Sequence, residues 1–192
     1  MTSTIKKLTA AFGAALISGA ILASGAAAEE FHFSTVPTTV TGSQTTTLVF
    51  TTSGGTVSCK SVSLSGEVAA KTSTELAVTI STKECTAFGF ANVTINWNGC
   101  SFKWTANGGA HIICPAGKPI EVTAPLCTYQ IGGQSLPGGA TFTTSGSPPN
   151  RHIIEHWNFS GLKYIECGTA RSNGTWKGST TTKTSSGEHW WQ

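Results

Sequence analysis

From Thr45 onward, apolar and polar residues alternate in short runs punctuated by Gly, Pro and Asn, which is the period of half-buried strands. The runs are TTTLVFTT, TVSCKSVSL, ELAVTIS, ANVTINW, CSFKWTA, AHIIC, PIEVTA, CTYQI, HIIEHWNF, GLKYIEC and GTWKGSTTTK. None carries the sustained apolar stripe of an amphipathic helix. Many short strands at this spacing predict an all-β fold, an antiparallel β-sandwich or barrel-like domain over residues 45–192. Residues 29–44 (EEFHFSTVPTTVTGSQ) read as an irregular lead-in. SGSPPN (145–150) reads as a loop, because Pro148-Pro149 cannot continue a ladder.

One hairpin follows from local chemistry. In ANVTINWNGCSFKW, Asn98-Gly99 is a favoured two-residue type I′ turn. Pairing outward sets Trp97 opposite Cys100, Ile95 opposite Phe102 and Val93 opposite Trp104, all on one core-facing side. Thr94, Asn96, Ser101 and Lys103 fall on the polar side.

The chain has six Cys: Cys59, Cys85, Cys100, Cys114, Cys127 and Cys167. An even count in an exported chain predicts three disulfides, with fifteen possible pairings. The hairpin places Cys100 near Cys85. Cys114 and Cys127 bracket PAGKP and IEVTA, which suggests a second pair. Cys59–Cys167 would then close a long loop.

The first residues look like an export leader. Lys6 and Lys7 give a basic start, LTAAFGAALISGAILASG an apolar run, and Ala26-Ala27-Ala28 a small-x-small site. Cleavage is expected between Ala28 and Glu29, leaving residues 29–192 as a secreted, extracellular product. No Cys lies near that site, so a lipoprotein anchor is not expected, nor is membrane insertion after cleavage. Beyond the leader, 10 Lys and Arg face 9 acidic residues, a net +1, and every acid is Glu. That balance excludes electrostatic capture of nucleic acid or of anionic membrane.

CTAFGF (85–90), NGCSFKW (98–104), CPAGKPIEV (114–122), CTYQI with Gln134, GLKY (161–164) and NGTWKGSTT (173–181) stand in a distinctive order. In these elements the chain resembles an uncharacterised paralogous family of secreted bacterial proteins, from roughly Thr45 to the C-terminus. The resemblance implies an export route and a β-rich architecture, and transfers no catalytic residue. Where that family has a Thr/Val alternation before Gly-Leu-Lys-Tyr, this chain has NRHIIEHWNF (150–159).

That segment contains His152-x-x-Glu155-His156, the inverted zinc-peptidase pattern. On a helix the two His lie about 6 Å apart and can share a metal. On a strand they lie about 13 Å apart, and Glu155 points to the other face. Ile153, Ile154, Trp157 and Phe159 favour the strand, with Trp157 facing the core. A metal shared with His111 or His189 of a neighbouring strand is a lesser alternative. No Gly-x-Ser-x-Gly elbow is present, and GGQSLPGG lacks the phosphate-loop spacing. Asn92, Asn158 and Asn173 begin glycosylation sequons, to which a bacterial-looking chain gives little weight.

Trp97 and Trp104 are placed in the core by the hairpin. Trp176, Trp190 and Trp191 are then the candidate surface aromatics, although a last strand could dock one of the terminal pair into the core. The expected role is a non-catalytic structural or binding one in the envelope or extracellular space, with an envelope glycan or another extracellular protein as partner and no cofactor. A carbohydrate- or peptide-binding module using Trp176, Trp190 and Trp191 is the first alternative. A zinc-dependent hydrolase through HIIEH is the second.

Overall fold

In the computed structural model, which describes residues 28–192, the chain forms fifteen strands, with no helix among the described residues. They are β1 (Phe31–Phe33), β2 (Thr38–Thr52), β3 (Gly55–Val68), β4 (Thr72–Ser73), β5 (Glu75–Ala87), β6 (Ala91–Asn96), β7 (Ser101–Thr105) and β8 (Ala110–Ile113), then β9 (Ile120–Ala124), β10 (Cys127–Ile131), β11 (Gln134–Leu136), β12 (Ala140–Ser145), β13 (His152–Glu166), β14 (Thr169–Thr184) and β15 (His189–Trp191). Ten contain the alternating runs, and β1, β4, β11, β12 and β15 lie outside them. The leader expected at 1–28 falls on residues 1–27, outside the described residues.

Four hairpins, β2–β3, β5–β6, β9–β10 and β13–β14, stand side by side in a ring. β3 pairs β5, β6 pairs β9, β10 pairs β13 and β14 pairs β2, closing an eight-stranded antiparallel barrel. Of the two expected architectures, the barrel is the one formed. Closure leaves these eight strands without a free edge over the ring. The innermost pairs, Thr52↔Gly55, Ala87↔Ala91, Ala124↔Cys127 and Glu166↔Thr169, put all four hairpin tips at one end. At the other end β7, β8 and β11 extend the sheet beyond β5, and β12 flanks β13. There a small sheet, β15-β1-β4, brings Phe31 and Phe33 into the core, and Glu30 and Gln192 exchange backbone hydrogen bonds.

The long strands change inward phase part-way along. β3 buries Val57 and Cys59, then Val62 and Leu64. β5 buries Leu76, Val78 and Ile80, then Cys85 and Ala87. β13 buries Ile153, Glu155, Trp157 and Phe159, then Leu162, Tyr164 and Glu166. In β13 a bulge resets which side chains face inward and bends the strand, as a closed barrel needs, whereas β3 and β5 change phase together with no shift of register between them. In β13 Gly161 supplies it at φ +72°, a backbone angle that a side chain would strain, and in β5 Glu84 sits at φ +53°. The phase change is why β13 reads in the sequence as two strands, HIIEHWNF and GLKYIEC.

Aromatic rings fill the barrel. Trp104 stacks on Trp157 at 4.8 Å and on Phe159 at 5.9 Å, and Phe102 meets Trp176 edge-on at 4.9 Å. An eight-stranded barrel has an interior just wide enough for side chains, and large rings fill it with few atoms of lost entropy. Outside, β5 presents Glu75, Thr79, Ser81 and Lys83 to solvent.

Several expectations are corrected. Residues 29–44 are not irregular: they contain β1 and the start of β2, whose Phe31, Phe33 and Val40 are core residues. Asn98-Gly99 does form its tight turn, with Cys100 N–H donating to Trp97 O at 2.8 Å and positive φ at both positions. It does not, however, pair β6 with β7. β6 lies along the end of β5 and against β9, whereas β7 lies along the start of β5 and against β8, so the chain continues in one direction past the turn. The expected inward faces survive, with Cys100, Phe102 and Trp104 buried and Val93, Ile95 and Trp97 packed against the core.

The disulfide pairings change with it. The bridges are Cys59–Cys85, Cys100–Cys114 and Cys127–Cys167, not Cys85–Cys100, Cys114–Cys127 and Cys59–Cys167. Without a β6–β7 hairpin, Cys100 is carried away from Cys85, which lies directly across the β3–β5 ladder from Cys59. Cys100 and Cys114 flank the Ser101↔Ile113 pair, and Cys127 opens β10 beside the β13–β14 tip.

A non-reducing peptide map is expected to return these three bridges and no free thiol. Replacing Cys127 and Cys167 together by Ser is expected to lower the unfolding free energy by about 3–4 kcal/mol in denaturant titrations, since the bridge closes a loop of 40 residues.

Candidate functional site

β13 carries the zinc-like segment as a strand, as its β-favouring residues predict. His152 and His156 share the outer side of the sheet. His156 Nδ1 meets Ser179 Oγ at 2.8 Å, and His152 Nδ1 meets Asn150 O at 3.2 Å. Glu155 points inward and is 0% exposed. His111 lies on β8 against Ser135 Oγ at 2.8 Å, and His189 is inside. The alternation of the strand therefore divides the trio between two faces. Among the described residues no group of three His, Cys, Asp or Glu could hold a metal ion.

Inside, Glu155 belongs to a connected polar cluster. Thr180 Oγ1 donates to Glu155 Oε2 at 2.6 Å, and Thr182 Oγ1 lies 3.2 Å from Glu155 Oε1 and 3.0 Å from His189 Nε2. Thr182 has one proton, so if it goes to the carboxylate, His189 must be the donor through Nε2–H. His189 Nδ1 is then the bare acceptor, and it has no partner. Burial pushes the Glu155 carboxyl up to about 7, against the smaller opposing effect of bonds from Thr180 and Thr182. Burial pushes His189 down to about 4, with a small contribution from the charge of His152. With no exposed surface, Glu155 has no access to a substrate. It holds β13, β14 and β15 together beneath the small sheet, where Phe33 stacks on His189 at 5.8 Å.

The terminal Trp pair is half-buried. Trp190 stacks on His32 of β1 at 5.2 Å, and the Arg151 guanidinium sits 3.7 Å from its ring centroid. β15 lies between β1 and Arg151, which bonds through its carbonyl to His189 N–H, so the two partners approach Trp190 from opposite sides. Neither ring face is free to stack on a ligand. Arg151 also grips Glu188 by Nε at 3.1 Å and by Nη2 at 2.7 Å. That bond holds the Glu188 carboxyl below its ordinary range and the Arg151 guanidinium above its own. Trp191 donates Nε1–H to Ala106 O at 3.0 Å, and its backbone is capped by Thr144 Oγ1. Trp176, expected at the surface, is 4% exposed and lies among Trp97, Phe102 and Trp157. Plain alternation along β14 turns it inward with Gly174, Thr180 and Thr182.

The exposed apolar side chains stand elsewhere. Phe90 is 82% exposed, Leu126 90% and Phe88 48%, on the β5–β6 and β9–β10 tips. β6 pairs β9, so these tips are neighbours on the barrel rim. The β5–β6 tip is tied down by Phe88 N–H to Thr56 O at 3.1 Å, and the Phe88 ring covers Gly55, leaving no room there for a Cβ. The adjacent rim is pinned by Glu166, which accepts from Ser53 Oγ at 2.6 Å and pairs with Arg171 at 3.4 Å. Tyr164 OH accepts from Ser53 N–H at 2.9 Å and donates to Asn173 Oδ1 at 2.9 Å. Sequence reasoning passed over Phe88, Phe90 and Leu126. The available signal was apolar residues set beside turn residues, in Phe-Gly-Phe and Pro-Leu, where alternation has stopped.

Linkage gives Glu155 and His189 opposite slopes. The neutral carboxyl is favoured by the fold, so its stabilisation is full below about pH 4.5 and lost as pH rises through about 7. Neutral His189 is favoured likewise, so its stabilisation is full above about 6.5 and lost as pH falls towards 4. Between about pH 4.5 and 6.5 the two oppose each other in the native protein. Glu155→Gln is expected to unmask His189, making stability rise with pH across that window by about 2–3 kcal/mol. Denaturant midpoints measured at pH 4.5, 5.5 and 6.5 check this.

No family model matches this chain, and neither a curated protein nor a solved structure matches it.

Proposed function

We propose that this chain is an exported, non-catalytic docking protein of the extracellular space or cell envelope, and that its contact surface is the hairpin-tip end of the barrel. The observation that carries this is Phe90 and Leu126, almost fully exposed on neighbouring tips. Soluble proteins bury or scatter such residues unless a partner covers them. Export is supported by the leader pattern and by three disulfides, which persist in oxidising compartments. Both tips are braced: Cys85 is bonded to Cys59 three residues before Phe88, and Cys127, bonded to Cys167, follows Leu126. A rigid contact loses little entropy on docking.

The other readings have weaker support. A stacking platform at Trp190 and Trp191 has both Trp190 faces occupied, and Trp176 is in the core. A zinc hydrolase through HIIEH has its His and Glu on opposite sides of a sheet.

The test is fractionation of cells producing the full chain. The protein is expected without residues 1–28, oxidised, outside the cytoplasm and retained in the envelope fraction. Phe90→Ser with Leu126→Ser is expected to shift it to the medium with its melting temperature unchanged. An uncleaved, reduced cytoplasmic protein would overturn the export half. Equal partitioning of native and variant protein would overturn the docking half.

A further inference from the structure

We propose that the hairpin-tip end docks on the surface of a lipid bilayer, held by Phe90, Leu126 and the exposed part of Phe88. This rests on the docking role of that end and names what it docks on.

The first ground is charge. The chain has no charged residue from Cys85 to Phe102, nor from Val122 to Asn150, and none from Thr45 to Cys59. Those stretches supply three of the four tips, β5–β6, β9–β10 and β2–β3. On the fourth, Glu166 and Arg171 neutralise each other at 3.4 Å. The end therefore offers no ionic handle to a charged partner, and it meets no desolvation penalty from an unpaired charge on entering an apolar interface.

Shape is the second ground. Phe90 and Leu126 project from turns instead of lining a depression. A cleft on the nearby wall, bounded by Gln130, Lys163, Ile165 and Arg171, includes none of the three. A protein partner would have to provide preformed pockets for two isolated protruding side chains. A bilayer interface accepts them wherever they land, and apolar groups buried about 5–10 Å deep hold peripheral proteins there.

Placement is the third. The Glu30–Gln192 pair and the small sheet lie at the opposite end, and the outer wall of the strands is Ser, Thr and Lys. Among the described residues the other exposed large apolar side chains, Ile113 on β8 and Ile165 on β13, are each less than half exposed. The contact is peripheral: the barrel wall is polar outside and apolar inside, the reverse of a membrane-spanning barrel.

The experiment uses the oxidised protein without residues 1–28 and extruded phosphatidylcholine vesicles, read by co-flotation. The native protein is expected to float with zwitterionic vesicles, changing less than twofold between 0.05 and 0.5 M salt. Phe90→Ser with Leu126→Ser is expected to lose at least tenfold in partition coefficient while keeping its melting temperature. A Phe90→Trp reporter gives a second measurement: its added emission should shift to the blue on vesicles and be quenched by brominated acyl chains.

Absence of native binding, or undiminished binding of the double variant, overturns the proposal. So does binding that appears only with anionic lipid and vanishes in salt. Concentration-dependent self-association abolished by the double variant, without flotation, would assign the tips to a second copy of this chain. Envelope retention that depends on the tips but persists without vesicle binding would leave the docking role standing and replace the bilayer by a protein or glycan.

Discussion

The structure depends on how β5 is shared. A closed eight-stranded ring needs β5 to hold β3 along one edge and to meet the returning chain along the other. That second edge is divided: Cys85–Ala87 takes β6, while Glu75–Thr79 takes β7. The three-pair β5–β6 ladder is the seam of the barrel. Cys59–Cys85 lies across β5 at the same level, and the Cys100–Cys114 bridge fastens β7 to the segment after β8 where the sheet splits. The bulges in β2, β13 and β14 then become necessary, because strands this long must bend to serve a ring at one end and an extended sheet at the other.

Sharing β5 also separates what was legible in the sequence from what was not. Alternation is a local property, and it located every barrel strand, placed Trp104 and Trp157 inside, and set Glu155 on the face opposite His152 and His156. It carries no information about partners. Asn98-Gly99 marks a tight turn truthfully, yet turn chemistry alone does not say whether the flanking strands meet. The Cys85–Cys100 inference inherited that gap, the Cys114–Cys127 pair rested on closeness in sequence, and Cys59–Cys167 followed by default. β1 was missed because Phe31 and Phe33 frame a three-residue strand too short to show a period. Trp176 was misplaced because its inward neighbours on β14, Gly174, Thr180 and Thr182, are not apolar, so the strand shows no apolar face.

Besides Glu166, bonded to Ser53 at the tip end, the interior holds a larger polar cluster where the barrel is sealed. Glu155, Thr180, Thr182 and His189 lie where β15 closes over the ring, with Arg151–Glu188 beside them. An apolar plug at that position would pack in several registers. A hydrogen-bonded chain from His189 through Thr182 to Glu155 admits one, because a slip would leave buried polar atoms without partners. The cluster therefore explains an acidic residue on the inward face of HIIEH without any metal: the pattern that resembles a zinc motif is an outer His pair and an inner structural carboxyl on a single strand.

The two ends thus differ in kind. The sealed end closes itself with ion pairs, stacked rings and hydrogen bonds, so its aromatics are already satisfied by partners within the chain. At the tip end the same charge-poor composition works differently. There, turns bring Phe88, Phe90 and Leu126 out of alternation, and neighbouring disulfides keep them from folding back into the barrel. Two nearly bare side chains expose only a small apolar area. On neighbouring tips of one rim, they would add their transfer free energies in the proposed docking only when a single surface meets both at once. That coincidence requirement is the physical basis of the docking role proposed for the tip end.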